Sequence, residues 1–382
     1  MQSRLRIGRF PSSENELLEH LDAIIDESRV DDRYTLGPSV NRNVSFSHLS
    51  ALLNAFPCHT GDLGVSGRPP TLSMAMELAV VMYLAELSNG DPDSTFGYIT
   101  SGVREANQFG IDRGCTILPD ARVYCSEAAD SSIAACARLM RRELVLVECD
   151  ASGAMDMRHL SQLCRTADGE GAVVVATVGT PLEGAVDDVA AIGAAAMGAG
   201  NVHIHLDATI GGLIAPFTSD RSRWGFAHSN VGSIALSPHT VLGLPMQCAV
   251  ALCRTDVLDA DASGFAGSSD ATISGSRSGS PGVLLWYALA RSGTAGLARN
   301  AWRALDTAAY AADSLALLGL DPVVHGSSIV VSFDRPAEWI CQRYHLTTAG
   351  SRAAVTTVGH VTKDLIDEFC RTIADDLAQH MT

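Results

Sequence analysis

Short apolar runs bounded by glycine, proline and small polar residues alternate along this chain with stretches whose apolar positions recur every three or four residues. The first kind reads as buried strand and the second as helix. The alternation is regular between residues 144 and 253. Leu144–Cys149, Ala172–Val178, the start of Val202–Phe217, Ser233–Leu236 and Cys248–Cys253 have strand character. Met157–Thr166 and Val186–Gly198 have helical spacing. Strands separated by helices at this distance predict a mostly parallel α/β sheet whose functional sites lie at the strand carboxyl ends.

Outside that region the pattern is more helical. Glu14–Glu27 carries Leu17, Leu18, Leu21, Ile24 and Ile25 at helical spacing, whereas Asp31–Ser45 is loop-like. Residues 51–70, ALLNAFPCHTGDLGVSGRPP, read as a substrate-access loop. Leu72–Leu87 is apolar almost all round, which predicts a buried helix. Leu284–Arg299 begins a long helix, and Ala301–Leu318 is a second, alanine-rich one that Gly319 is placed to end. Strands at Ser328–Phe333 and Ala353–Val358 and helices at Pro336–Arg343 and Val361–Ala378 give the tail an α+β character. The expected organisation is an arm and loop over 1–60, a large α/β domain over 61–300 and a small α+β domain over 301–382.

Composition narrows the function. The 382 residues carry a formal charge of −16, which argues against a nucleic-acid backbone or an anionic membrane surface as partner. No apolar run approaches the roughly 18–20 residues that span a bilayer, and the arginine-bearing start MQSRLRIGRF has no apolar segment behind it. Ten scattered cysteines show neither a C-x-x-C pair nor metal-like spacing with histidine, so reduced core thiols in a cytoplasmic protein are expected. His203 and His205 alternate with apolar residues on one strand face, where a third metal ligand is lacking and satisfied strand histidines are the simpler reading. Among 27 lysines and arginines there is one lysine, Lys363, in the first turn of the last helix.

Five motifs carry candidate chemistry. Ser101-Gly102-Val103-Arg104-Glu105-Ala106-Asn107 follows a strand and opens a helix, where free backbone N–H groups suit an anion. Tyr124-Cys125-Ser126-Glu127 leads to Asp130. Gly179-Thr180-Pro181-Leu182-Glu183-Gly184-Ala185-Val186-Asp187-Asp188 precedes a helix, and His205-Leu206-Asp207-Ala208 ends a strand. Ser237-Pro238-His239-Thr240 is a polar turn between two apolar runs. With Asp270–Gly279 (DATISGSRSG) and Gly61-Asp62, this set resembles the pyridoxal-phosphate (PLP) dependent group II amino-acid decarboxylases, especially the bacterial histidine-decarboxylase type, from about Gly61 to Phe369.

The resemblance implies the type I fold of PLP enzymes: a large domain with a seven-stranded-type, mostly parallel sheet between helices, a small α+β C-terminal domain, and an N-terminal arm that wraps a partner subunit. It places the cofactor phosphate at Ser101, Gly102 and Arg104, the pyridine nitrogen at Asp207, and further cofactor contacts at Ser237 and His239. His59 and Asp62 fall in the access loop, and Ser276 and Arg277 at the dimer interface.

Three of the motifs depart from the family, at four positions. Its Schiff-base lysine is Thr240, its ring-stacking histidine is Asp130, and its phosphate loop carries Val103 and Arg104. Arg104 can grip a phosphate or carboxylate by its fork, or project into solvent. No ordinary Schiff-base decarboxylation is expected, no cofactor is expected to be covalently bound, and PLP or pyridoxamine phosphate (PMP) is expected to bind non-covalently if at all.

Three readings remain open. The first is a repurposed enzyme acting on an amino-acid-derived small molecule, with His239, Asp207, Thr240 and Asp130 as its chemical groups. The second is a pseudoenzyme subunit that pairs with an active, lysine-bearing paralogue; the assembly expected is a homodimer or a heterodimer with a decarboxylase-like paralogue. The third is a lyase using PLP or PMP without a covalent link.

Overall fold

The structure, a computed structural model, describes residues 13–380 except 33, 38–39, 56, 64–70, 168, 220, 222–223 and 259–269. In chain order it opens with α1 (Glu14–Asp32), β1 (Cys58–Thr60), α2 (Leu72–Leu87), β2 (Thr95–Thr100) and α3 (Val103–Ile117). There follow β3 (Arg122–Ser126), α4 (Ser131–Leu139), β4 (Leu144–Val147), α5 (Met157–Cys164), β5 (Ala172–Thr177), α6 (Val189–Ala196) and β6 (Val202–Ala208). Then come β7 (Val231–Leu236), α7 (Pro238–Leu242), β8 (Ala249–Arg254), β9 (Ser276–Ser278) and α8 (Ser280–Leu317). The chain closes with β10 (Val323–Val324), β11 (Val330–Asp334), α9 (Glu338–Arg343), β12 (Thr347–Ala349), β13 (Arg352–Thr356) and α10 (Lys363–His380).

Seven strands form the central sheet in the order β2-β8-β7-β6-β5-β3-β4. All neighbours pair in parallel except β8, which runs antiparallel to β7 and β2. The reason is visible in β5, AVVVAT, where all six residues are buried. Val173 and Val175 pack with Ile111, Val123 and Ile133 on one face, while Val174 and Ala176 join Leu84, Leu160, Ile192 and Leu285 on the other. A strand covered on both faces needs apolar side chains at every position, and each such valine contributes roughly 1.5–3 kcal/mol on burial. Side-chain caps fix where several helices start: Thr71 on α2, Asp130 on α4, Asp156 on α5 and Asp188 on α6. Each is worth about 1 kcal/mol.

Helix α8 joins the two cores. Its Leu284, Leu285, Leu289 and Leu297 belong to the large core, whereas Ala301, Ala308, Ala311 and Leu315 belong to the small one. The second core is closed by the antiparallel sheet β10-β11-β13-β12 and by α9 and α10, where Tyr344 meets Phe369 edge to face at 4.9 Å between ring centres.

Some expected boundaries move. The helical stretches expected over 284–318 occur within Ser280–Leu317, but the interruption between them lies at Gly293, the residue able to take φ +57°, rather than at residue 300. The polar turn at 237–240 opens the one-turn helix α7, with Pro238 in its first turn and left-handed Gly243 ending it. The access loop contains β1, which pairs with β9, and its residues 64–70 lie outside the described residues.

Candidate functional site

The carboxyl ends of β5, β6 and β7 open into a cleft of about 810 Å³. Register places the side chains there. Thr177 ends β5 opposite Asp207 of β6, Ala235 of β7 flanks Asp207 on its other side, and Ser237 lies just beyond β7. The start of α3 supplies Ser101, Gly102, Val103, Arg104 and Glu105, and the small domain closes the far wall with Ile329, Thr347, Thr356 and Val358. The structure therefore gathers Ser101, Gly102, Arg104, Asp130, Asp207, Ser237, His239 and Thr240 in one cavity.

Asp207 is the most constrained of these groups. Its Oδ1 accepts the amide and hydroxyl of Thr209 at 3.2 and 2.7 Å, and its Oδ2 accepts the Asn107 amide at 3.1 Å. Burial pushes its carboxyl above the usual range. The Thr209 bonds act against burial, and the charge of Asp130 adds to it. His239 is buried on the cleft floor with Nδ1 2.9 Å from Ser237 Oγ. Burial lowers its pKa, a shift the Cys248 backbone partly offsets, so the imidazole is neutral near pH 7. The Thr240 hydroxyl donates to the Ser237 carbonyl at 2.9 Å.

Two of the positions expected to depart from the family's pattern have structural work of their own. The Asp130 carboxylate caps α4 by accepting the Ser132 N–H at 2.8 Å while also lining the cleft. Val103 packs against the cluster that contains Tyr98 and Phe109. Arg104, next to it, is exposed and lines the cleft, and among the described residues no hydrogen bond or ion pair engages its guanidinium. Ser101 is engaged by Glu105, which accepts its N–H at 2.9 Å and its hydroxyl at 2.6 Å. A Cβ on Gly102 would meet nothing within 4 Å, so this helix start is open to an approaching group.

His59, Asp62, Ser276 and Arg277 do not join this cleft. They sit around the β1–β9 ladder, in which His59 pairs with Arg277 and Thr60 with Ser276. His59 is fully buried, its Nδ1 bonded to Glu77 Oε2 and its Nε2 2.8 Å from Ser73 Oγ. Arg277 Nε lies 3.1 Å from Glu77 Oε1, and its Nη1 donates to the Gly61 carbonyl at 3.0 Å. Burial alone would raise the Glu77 carboxyl, but His59, Arg277 and the Ile99 N–H together hold it below the usual range. Asp62 accepts the Ala271 N–H at 2.7 Å.

Sequence reasoning did not single out Thr177 and Thr347. Both hydroxyls are buried without a hydrogen-bond partner among the described residues, and both residues line the cleft. Thr177 had a signal, since it is the polar residue ending an otherwise apolar parallel strand. Thr347 lies on the short strand β12, which no run of apolar residues announces.

This donor set fits two poles of a phosphorylated pyridine: the open start of α3 with Arg104 for the phosphate, and Asp207 for the ring nitrogen. Among the described residues no lysine lines the cleft. The one lysine, Lys363, lies on α10 with Nζ 2.8 Å from Asp306 and over the ring of Tyr310. Among the described residues no group of histidine, cysteine, aspartate and glutamate is arranged to hold a metal ion, and no helix is long and apolar enough to cross a membrane.

Comparison with known proteins bears on the same region. The pyridoxal-dependent decarboxylase conserved domain matches residues 103–317, more than half of the chain. The histidine decarboxylase of Klebsiella aerogenes is 30% identical over 353 residues, covering 91% of this chain and 93% of that one. Serine decarboxylase 2 of Oryza sativa subsp. japonica is also 30% identical, over 90% of this chain and 74% of its own length. Among solved structures, L-methionine decarboxylase from Streptomyces sp. 590 superposes with a TM-score of 0.87 at 18% identity, covering 98% of both chains.

Proposed function

This chain belongs to the group II pyridoxal-dependent decarboxylase family, and from that premise we propose that its cleft binds an amino-acid-derived small molecule and acts on it without a lysine-linked cofactor. The fold is the type I fold of that family's PLP enzymes. The observation that carries the proposal is the pairing of a complete cleft with a missing amine. Asp207, Ser237, His239 and Thr240 line the cavity, whereas Lys363 is held by Asp306 on the small domain. His239 is the group for holding and moving a proton: neutral, oriented through Nδ1 by Ser237, and set on the cleft floor. Arg104 faces the substrate's carboxylate, Asp207 its cationic nitrogen, and the domain wall of Ile329 and Val358 excludes water from its apolar part.

A second reading is favoured by the partnerless Thr177 hydroxyl beside Asp207 and the open backbone at Gly102. In it, PLP or PMP is held non-covalently by Arg104, Gly102 and Asp207. When bound, such a cofactor supplies an electron sink, and Asp207 keeps its ring nitrogen protonated. For assembly the reading is a pair of subunits, supported by α1, where Leu17, Leu18 and Leu21 are each about half exposed.

The test combines an absorbance titration with PLP and PMP, borohydride treatment with intact-mass analysis, and a thermal-shift series of amino acids, amines and carboxylates. Stabilisation by amino-acid-derived molecules, lost in Asp207→Ala, with no borohydride-fixed mass, supports the first reading. A cofactor band that never becomes a protein adduct supports the second. A borohydride-fixed adduct at Lys363 refutes both. Failure of every small molecule to bind would leave the protein as a non-catalytic partner subunit.

A further inference from the structure

Behind Asp207 a file of buried polar groups leads away from the cleft into the interface between α3 and the sheet. Asp207 Oδ2 accepts the Asn107 amide at 3.1 Å, and Asn107 Oδ1 lies 3.1 Å from His205 Nε2. His205 Nδ1 is 2.9 Å from Ser233 Oγ, and that same Oγ is 3.0 Å from His203 Nε2. Asn107, His205, Ser233 and His203 are all buried.

Donor and acceptor logic gives the file one direction. The Asn107 amide gives an N–H to the carboxylate, so its carbonyl side faces His205 and must accept. Only a protonated Nε2 on His205 can donate there. Burial holds both imidazoles neutral, with pKa pushed down to about 3 for His205 and about 4 for His203. A neutral His205 with its proton on Nε2 has a bare Nδ1, which takes the Ser233 hydroxyl proton in preference to the Gly110 carbonyl at 3.2 Å. Ser233 Oγ then accepts the Nε2–H of His203. Each member points its positive end along the file towards Asp207, and bonds aligned this way polarise one another.

The backbone is shaped around these rings. A Cβ on Gly110 would collide with the imidazole of His205, and Cβ atoms on Gly114 and Gly232 would collide with that of His203. Apolar side chains would fill this interface without three such glycines, and would leave no polar group to satisfy.

We propose that Asn107, His205 and Ser233 are positioning residues for Asp207, a directional file that holds its carboxylate ionised and aimed into the cleft. The cleft then presents a fixed anion, and it selects ligands that bring a cationic N–H, whether a protonated ring nitrogen or an amine. This selection rests on the cleft being a small-molecule site; the action of the file on Asp207 does not. Other groups bearing on the carboxylate are Asp130 on α4, which opposes ionisation, Arg104 on α3, His239 on α7, and the Thr209 bonds from the end of β6.

The test needs no ligand. Carboxyl-¹³C aspartate is introduced into the full chain, Asp207 is assigned with Asp207→Asn, and its titration is followed by NMR with and without changes in the file. In His205→Leu, which removes the donor to Asn107, the Asp207 midpoint should rise by at least about one pH unit, a tenfold change in its ionisation equilibrium. His205→Gln, which keeps an N–H near the position of Nε2, should restore it to within about half a unit. Ser233→Ala, further along, should give a smaller rise in the same direction. ¹⁵N shifts of the unaltered protein should show the Nε2–H tautomer at His205. An unmoved Asp207 midpoint in all variants that remain folded, or an Nδ1–H tautomer at His205, overturns the proposal. If His205→Leu does not fold, Ser233→Ala and the tautomer decide. Failure of amine ligands to bind a protein that passes these tests would count against the cleft reading and leave the file in place.

Discussion

Lowering the pH from 7 to 5 should destabilise the folded chain through His203 and His205, by an amount the structure allows to be worked out. Both rings are buried and neutral, with pKa pushed by burial to about 4 and about 3. In the unfolded chain the same side chains titrate near 6.5. Below that pH the unfolded state takes up protons that the folded state refuses, so stability present above pH 6.5 is lost as the pH falls. At pH 5 the deficit is roughly 1.5 pH units per site, or about 2 kcal/mol each and about 4 kcal/mol for the pair. That is a large share of the ~5–15 kcal/mol that stabilises a typical protein.

Other groups change in the same window and must be separated from the histidines. Burial raises the carboxyls of Asp207 and of Asp187, the latter to about 6, and a carboxyl raised in this way adds stability as the pH falls. The net loss in the unaltered protein is therefore smaller than the histidine contribution. The informative quantity is the difference from a His203→Gln/His205→Gln double variant, which cannot titrate there but keeps an N–H at each site. Urea unfolding of both proteins at pH 7 and pH 5, at one ionic strength, should show the unaltered chain losing about 4 kcal/mol more than the variant. Equal losses within about 1 kcal/mol would mean that water or an anionic partner reaches the rings, and the buried neutral pair would be refuted.

Three further outcomes follow from particular contacts. Asp187 accepts the Met155 N–H at 2.7 Å and the Thr177 N–H at 2.8 Å, so Asp187→Asn leaves one of them unmet and should cost about 1–3 kcal/mol in urea unfolding. Because the unaltered protein loses stability as the raised Asp187 carboxyl ionises, the penalty should be larger at pH 5 than at pH 8, and a penalty independent of pH would contradict this. Glu77→Gln strips charge from a buried cluster with His59 and Arg277 and should cost roughly 3–5 kcal/mol by the same assay, whereas a cost below about 1 kcal/mol would show the cluster to be hydrated. Thr240→Lys puts an amine at the cleft edge, and PLP with borohydride should then give a fixed mass increment at residue 240; no increment would show that the cleft no longer accepts the phosphorylated pyridine.

Much of the large domain could be read from sequence because its strands are buried on both faces and therefore appear as unbroken apolar runs, as in β5. The helix over Leu72–Leu87 forms as expected, with Thr71 as its cap, but it is not buried all round: Met74, Val80, Val81 and Leu84 face the core, whereas Leu72 and Met82 are exposed. Legibility fails where a boundary depends on one backbone angle or on a partner far along the chain. The expected helical spans meet at residue 300, yet the break lies at Gly293, because a positive φ is what ends the helical path. β1 and β9 are three residues each and form only because Cys58–Thr60 and Ser276–Ser278 meet, which no local pattern announces. The site behaves likewise. Asp207 stood out through the resemblance of its motif to the decarboxylase family, since a strand-end position alone would suit a capping role, and the eight residues expected around the cofactor or the chemistry do gather in one cleft. His59 and Arg277 also meet, but Glu77, a helix residue with no motif around it, is what joins them.

Asp130 shows why the altered positions cannot be interpreted from the cleft alone. As a missing aromatic ring it reads as loss, yet its carboxylate accepts the Ser132 N–H and starts α4, a contact worth about 1 kcal/mol. Val103 likewise packs beside Tyr98 and Phe109, and Thr240 returns its hydroxyl to the Ser237 carbonyl within α7. Each replacement satisfies a local need of the fold, and none leaves a buried polar atom without a partner among the described residues. Asp207 differs. A carboxylate buried this deeply opposes folding unless something holds it, and Thr209 and the file through Asn107 and His205 do so while the Thr177 hydroxyl beside it has no partner. Stability alone would be served by an apolar residue at 207. The buried carboxylate, supported by Asn107 and His205 with an open cleft in front of it, is therefore accounted for by what it presents to the cleft rather than by the stability of the fold.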